Sequence, residues 1–158
     1  MVRNALAISL LAVLLCALAG CSKKVMPTTM AYRTYDTECL SKDASGAITL
    51  RVYGTGHDAK SARTDAARKA VEEVTFTNLT GNRANALALL PQPTARTAHG
   101  EYFNKFFKDG GDYKKYVKVD KVDDEDLLRG NGRVTAPFIV VVDREGLLKK
   151  YKKDKITQ

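Results

Sequence analysis

AITLRVYGTGHDAKSARTDAARKAVEEV, residues 47–74, is the stretch on which the reading of the fold turns. Its first part alternates. Ile48, Leu50 and Val52 share one side of an extended chain, and Thr49, Arg51 and Tyr53 the other, which predicts a half-buried strand over residues 47–54. Its second part changes period. Ala59, Ala62, Ala66, Ala70 and Val74 recur at spacings of three and four, which predicts a helix over residues 59–76 with Asp58 as its N-cap. A stripe of such small side chains lets a helix axis lie close to a sheet. Gly54 and Gly56 are expected to let the chain turn sharply off the strand.

Strand, glycine loop, Lys60-Ser61 and helix is also the layout of a phosphate-binding loop, and FIVVVD, ending at Asp143, resembles its magnesium-holding strand. The chemistry disfavours that reading. Ala59 stands where the loop needs a second glycine, Asp58 would set a carboxylate beside phosphate, and the element order lacks parallel crossovers. A Ser61–His57–Asp65 relay is disfavoured too, because His57 precedes the N-cap and no oxyanion hole is recognisable. His99 has no Cys or Glu at zinc spacing, and the run Asp123-Asp124-Glu125-Asp126 lacks the alternating ligands of a calcium loop. The expectation is a protein that is not an enzyme and holds no metal or cofactor.

The N-terminus gives an address. Arg3 precedes an apolar run, residues 5–18, too short to span a bilayer, and the run ends in Leu18-Ala19-Gly20-Cys21. Small residues before a cysteine at that place resemble the bacterial lipobox. The resemblance implies cleavage of residues 1–20 and a diacylglycerol thioether with an acylated amine on Cys21. At about 0.8 kcal/mol per buried methylene, several acyl chains hold a protein on a membrane almost permanently. Ser22, following the lipid site, resembles the pattern for outer-membrane delivery. Residues 21–30 then form a polar tether, and residues 31–158 suit one domain. Cys39 remains as a lone thiol, read as a small buried strand residue, with an intermolecular bridge as the sharper alternative.

The rest of the chain supplies the other elements. Residues 32–40 alternate as a strand that pairs with the next one across a turn at Gly46. Residues 77–94, with Gly81, Pro91 and Pro93, read as a long, partly ordered loop of the kind that often binds. A second helix is predicted over residues 95–108, where Tyr102, Phe103, Phe106 and Phe107 form an aromatic face at core spacing. A third strand is expected over residues 116–122, and Asn131-Gly132 marks a tight turn. The strongest strand covers residues 133–142, with Pro137 indicating an edge position or a bulge. Asp143 caps a last helix, predicted over residues 144–153, that places Leu147, Leu148 and Tyr151 inward. The order β-β-α-α-β-β-α predicts an α+β two-layer sandwich: a mixed four-stranded sheet with helices on one face.

The formal charge is +8, and much of the excess lies in LLKKYKKDKITQ at the C-terminus. For an exported protein this disfavours nucleic acid. It leaves Lys149, Lys150, Lys152, Lys153 and Lys155 as a candidate contact surface for lipopolysaccharide, peptidoglycan or lipid headgroups, against the plainer reading of a solvated helix face.

Gly54, Gly56, Ala59, Ala62, Ala66 and Ala70 form a module that resembles the twenty-kilodalton antigen-type outer-membrane lipoproteins and the N-terminal domain of flagellar assembly protein T. More widely, TECL, RVYGTGHDAKSARTDAARKAVEEVTF, EYFNKFFKDGGDYKKYV and VVVDREGLLKKY, in that order, resemble small Bacteroidetes envelope lipoproteins of uncharacterised function. That resemblance implies a single α+β domain and no catalytic residues. The expected role is a lipid-anchored accessory or scaffold subunit of an outer-membrane assembly, with an outer-membrane protein as partner. The alternative is a binder of an anionic envelope polymer through the C-terminal lysines.

Overall fold

The alternation before Gly54 becomes a strand that runs on through both glycines. A computed structural model describes residues 37–81, 83–91, 93–120 and 126–157; the expected signal segment, Cys21, the expected tether, residues 32–36 of the first predicted strand and residues 121–125 lie outside these. In order, the elements are β1 (Glu38–Lys42), β2 (Ile48–Gly56), α1 (Ala59–Phe76), α2 (Pro93–Ala98), α3 (Gly100–Phe107), a 3-10 turn (Asp112–Tyr116), β3 (Val117–Val119), β4 (Leu128–Gly130), β5 (Arg133–Val142) and α4 (Arg144–Lys153).

The fold is α+β, with helices on one face of the sheet. The sheet has five strands, all antiparallel, where the sequence predicts four and a mixed pattern. The order is β1-β2-β5-β3, with β4 also on β5. The extra strand, β4, forms a hairpin with β5 through Asn131 (φ 50°) and Gly132 (φ 69°). Positive φ at both turn residues matches the natural twist of paired strands. The third predicted strand is shorter than expected and begins only after the 3-10 turn.

β5 is central rather than an edge, which corrects the expectation from Pro137. β2 pairs along its whole length on one side. On the other side β4 pairs up to Thr135 and β3 from Val140, and Ile139 O accepts from Asp120 N on that same side. By the period of two, Pro137 turns its backbone nitrogen to this side as well, into the interval between β4 and β3. The proline therefore interrupts no ladder bond.

Ile48, Leu50 and Val52 from β2, and Val134, Ala136, Phe138, Val140 and Val142 from β5, form the floor of the core. α1 lies across both strands and buries Ala62, Ala66, Ala70, Val71 and Val74. The glycines explain how close it lies. Neither Gly54 nor Gly56 has positive φ, so neither serves a turn, which corrects the sequence reading. A Cβ on Gly54 would fall inside the carbonyl oxygen of Ala62 and 2.8 Å from Ala66 Cβ; one on Gly56 would meet Ser61 and lie 2.5 Å from Ala62 N. Bare backbone on the strand and alanine on the helix are two halves of one close contact.

Over this layer sits an aromatic cluster. Phe103 and Phe106 of α3 approach Tyr151 of α4 at ring separations of 5.9 and 5.7 Å. The Tyr151 hydroxyl, fully buried, bonds to Thr75 Oγ1 at 2.9 Å, and Thr75 Oγ1 donates to Val71 O at 2.7 Å. The aromatic face of the second predicted helix is thus core, not contact surface. That helix is also two helices, broken at His99.

The predicted loose loop is tied down. Leu79 and Ala86 form a bridge, Leu89 N and Leu90 N donate to Val74 O and Thr75 O, and Leu79, Ala86, Ala88, Leu89 and Leu90 are buried. Its exception is Leu87, 74% exposed, the one large apolar side chain turned to solvent among the described residues. Cys39 is fully buried in β1, and burial pushes its thiol up, so it is the small buried strand residue expected.

Candidate functional site

The junction of β2 and α1 forms one wall of a cleft of about 500 Å³. Asp58 caps α1 by accepting from Ser61 N at 2.7 Å, while Asp58 N donates to Ser61 Oγ at 3.0 Å, a reciprocal capping box. Ser61 is therefore part of the helix start, not merely a solvent-facing residue of the first turn. One turn on, Asp65 fastens the helix to the strand end. Its Oδ2 accepts from Thr55 N at 3.0 Å and from Lys69 Nζ at 2.7 Å, and its Oδ1 pairs with Arg68 at 2.9 Å. The opposite wall comes from the 3-10 turn, with Tyr113 and Lys114, and from Arg133 at the start of β5.

The carboxylates of the first wall are committed to structure. For Asp65, burial pushes the carboxyl up, but the bonds from Lys69 and Thr55, with Arg68, outweigh it and hold the group below its usual range. For Asp58, the bonds from the Ser61 backbone and side chain lower the carboxyl likewise. Both stay ionised, and Asp65, the acid a Ser61–His57–Asp65 relay would use, is turned away from Ser61. Ser61 Oγ lies 2.7 Å from Asp58 Oδ1 within the cap, and Asp65 is turned to Thr55, Arg68 and Lys69. The residues Ser61, His57 and Asp65 border the same cleft without forming a triad.

The Asp65 network carries a pH signature. Its folded-state carboxyl sits below its unfolded value, so the ionised form stabilises the fold above about pH 4 and that contribution is lost as pH falls through the folded value. Asp65→Asn is expected to lower stability at neutral pH and to flatten the acid limb. Urea midpoints of both proteins between about pH 2 and pH 6 check this: the two curves should converge toward the acid end, and parallel curves would refute the assignment.

Cations predominate among the remaining groups. Lys60, Lys114 and Arg133 are exposed and have no ion-pair partner among the described residues, and Asp109 is an unpaired carboxylate on the rim. Tyr113 is the singular feature. It is fully buried, and its hydroxyl has no hydrogen-bond partner. Burial pushes the phenol up; the Arg68 charge opposes this, while the carboxylates of Asp109, Asp65 and Glu72 add to it. Sequence reasoning did not single out Tyr113, Lys114 or Arg133, because they reach the cleft from separate parts of the chain.

The lysines named from sequence lie elsewhere. Lys149, Lys152, Lys153 and Lys155 are exposed on or just after α4, while Lys150 is drawn to Asp154 Oδ2 at 2.7 Å. Asp154 Oδ2 also accepts from Tyr102 Oη at 2.7 Å, so Lys150 belongs to the seam between α3 and α4. The candidate contact surface reduces to the other four. Among the described residues no three His, Cys, Asp or Glu side chains gather as a metal site, and no helix is long and apolar enough to cross a membrane. Asp123 and Asp124, with Glu125, lie outside the described residues.

Compared with family models, curated proteins and solved structures, the chain matches none. The functional reading rests on its own residues.

Proposed function

We propose that this is a lipid-anchored protein of the bacterial cell envelope that works by binding, as a non-enzymatic accessory or scaffold subunit at the outer membrane. The lipobox Leu18-Ala19-Gly20-Cys21 supports the address. The observation that carries the binding role is the commitment of Asp58, Ser61 and Asp65 to capping and bracing α1, which makes this junction a rigid support. The braced loop that presents Leu87 supplies a contact point of the kind protein partners use: one exposed apolar side chain on backbone bonded into the fold.

Two measurements in cells test this reading. Cys21→Ser should move the protein from the membrane fraction to the soluble fraction. A photocrosslinking residue at position 87 should trap one reproducible envelope protein. Retention of the serine variant on the membrane would refute the anchor, and the absence of a reproducible adduct from the membrane-bound protein would refute the scaffold role.

A second reading keeps one observation in its favour. Lys149, Lys152 and Lys153, spaced three and four apart on α4, are exposed and without ion-pair partners among the described residues. A basic face of this kind suits an anionic envelope polymer. Binding of that type weakens steeply with added salt, whereas a packed protein interface does not.

A further inference from the structure

We propose that the cleft between the start of α1, the 3-10 turn and the start of β5 is a binding site for a small phosphate-bearing ligand. The inference is independent of the lipid anchor and of the scaffold role.

Tyr113 carries the argument. A buried hydroxyl without a partner costs on the order of 1–3 kcal/mol, and native proteins rarely tolerate one without a use for it. Here the hydroxyl belongs to a residue that lines an open cleft, and it is the buried group of that lining that lacks a partner. Because burial favours the protonated phenol, the group is a donor and asks for an acceptor.

The charges of the cleft lining identify that acceptor. Lys60, Lys114 and Arg133 come from three separate elements and have no ion-pair partners among the described residues. Against them stand Asp109 and Asp58, both without an ion pair among the described residues, since the bonds Asp58 accepts come from the neutral Ser61; Asp65 is paired with Arg68 and Lys69. Three cations without ion pairs and a neutral donor exceed what these two carboxylates satisfy. They match a phosphate, which carries up to two charges and several acceptor oxygens, with lysines as point charges and an arginine fork. About 500 Å³ accommodates a small molecule around that phosphate rather than a bare ion alone.

Recognition differs in kind from a nucleotide loop. The backbone donors at the helix start are occupied, Ser61 N by Asp58 Oδ1 and Ala62 N by Asp58 O. Side chains from three elements do the work instead, and no hydrolysis is implied.

The test uses the full chain in a neutral detergent at low salt, titrated calorimetrically with inorganic pyrophosphate, with acetate as the carboxylate control. Saturable binding of pyrophosphate and none of acetate is expected. Tyr113→Phe and Arg133→Ala should each weaken it by about tenfold, the usual effect of losing one donor to a charged group. Tyr113→Phe should melt no lower than the parent, because the hydroxyl it removes has no partner within the protein. Lys152→Ala, on α4, should bind as the parent does. A parallel arm measures flotation with vesicles containing phosphatidic acid. Binding there that depends on Tyr113 and Arg133, without pyrophosphate binding, assigns the phosphate to a lipid headgroup, and the reverse assigns it to a soluble ligand. The proposal is overturned if neither probe binds saturably, if Tyr113→Phe and Arg133→Ala bind as the parent, or if Lys152→Ala weakens binding as much as they do.

Discussion

Gly54→Ala is expected to cripple the fold. The added methyl carbon would collide with the Ala62 carbonyl and lie 2.8 Å from Ala66 Cβ, and both belong to the helix packed on the strand. A flexible side chain can move aside, but helix backbone cannot without lifting α1 from β2 and β5. Overpacking ordinarily costs about 1–3 kcal/mol, and an obstacle made of backbone places this variant at the top of that range or above it. A fall in melting temperature of roughly 10 °C or more follows for a domain of this size. Gly100→Ala is the control, since a Cβ there meets nothing within 4 Å and the residue begins a helix. That change should leave the melting temperature unaltered or raise it slightly. Equal melting curves for the two variants would refute the close-contact account of Gly54.

Tyr151→Ala should be similarly damaging for the opposite reason, a void. The ring is fully buried and touches Tyr102, Phe103 and Phe106. Truncating a buried aromatic side chain costs about 3–5 kcal/mol. Tyr151→Phe keeps the ring and loses only the bond to Thr75, whose hydroxyl still donates to Val71 O, so about 1 kcal/mol is expected. Urea unfolding of the two variants separates the contributions. If phenylalanine were as costly as alanine, the hydroxyl pair and not the ring would hold α4 to α1.

What sequence could reveal follows from the range of the forces involved. β5, α1 and α4 are marked by local pattern and by their caps at Asp58 and Asp143, and their bounds agree with the expectation. The capping box was legible as well, in the spacing of Asp58 and Ser61, though only the cap was read. β4 was not legible, because three residues form a strand only through their pairing with β5. Nor was the role of Gly54, since glycine for a turn and glycine for close approach look alike until the facing helix is in place. The break at His99 is hidden in an otherwise continuous helical pattern. Within the cleft, Lys60 and Asp65 lie in the stretch that first suggested chemistry, but Tyr113, Lys114 and Arg133 are brought there by the 3-10 turn and by the register of β5. No local signal marks a tyrosine as one that will be buried without a partner.

The pairing of β2 with β5 has a consequence in time. Ile48 lies opposite Val142 and Gly56 opposite Val134, so every rung of the central ladder joins an early part of the chain to a late one. β2 and α1 adjoin in sequence and can meet early, yet the apolar floor they share stays incomplete until residues 133–142 arrive. Closing so large a loop is slow and comes before most of the native contacts it allows. Folding is therefore a late event in the life of the chain. A chain interrupted before Arg133 would keep its best local helix and the β1–β2 pair, but lack the strand that completes the floor beneath that helix.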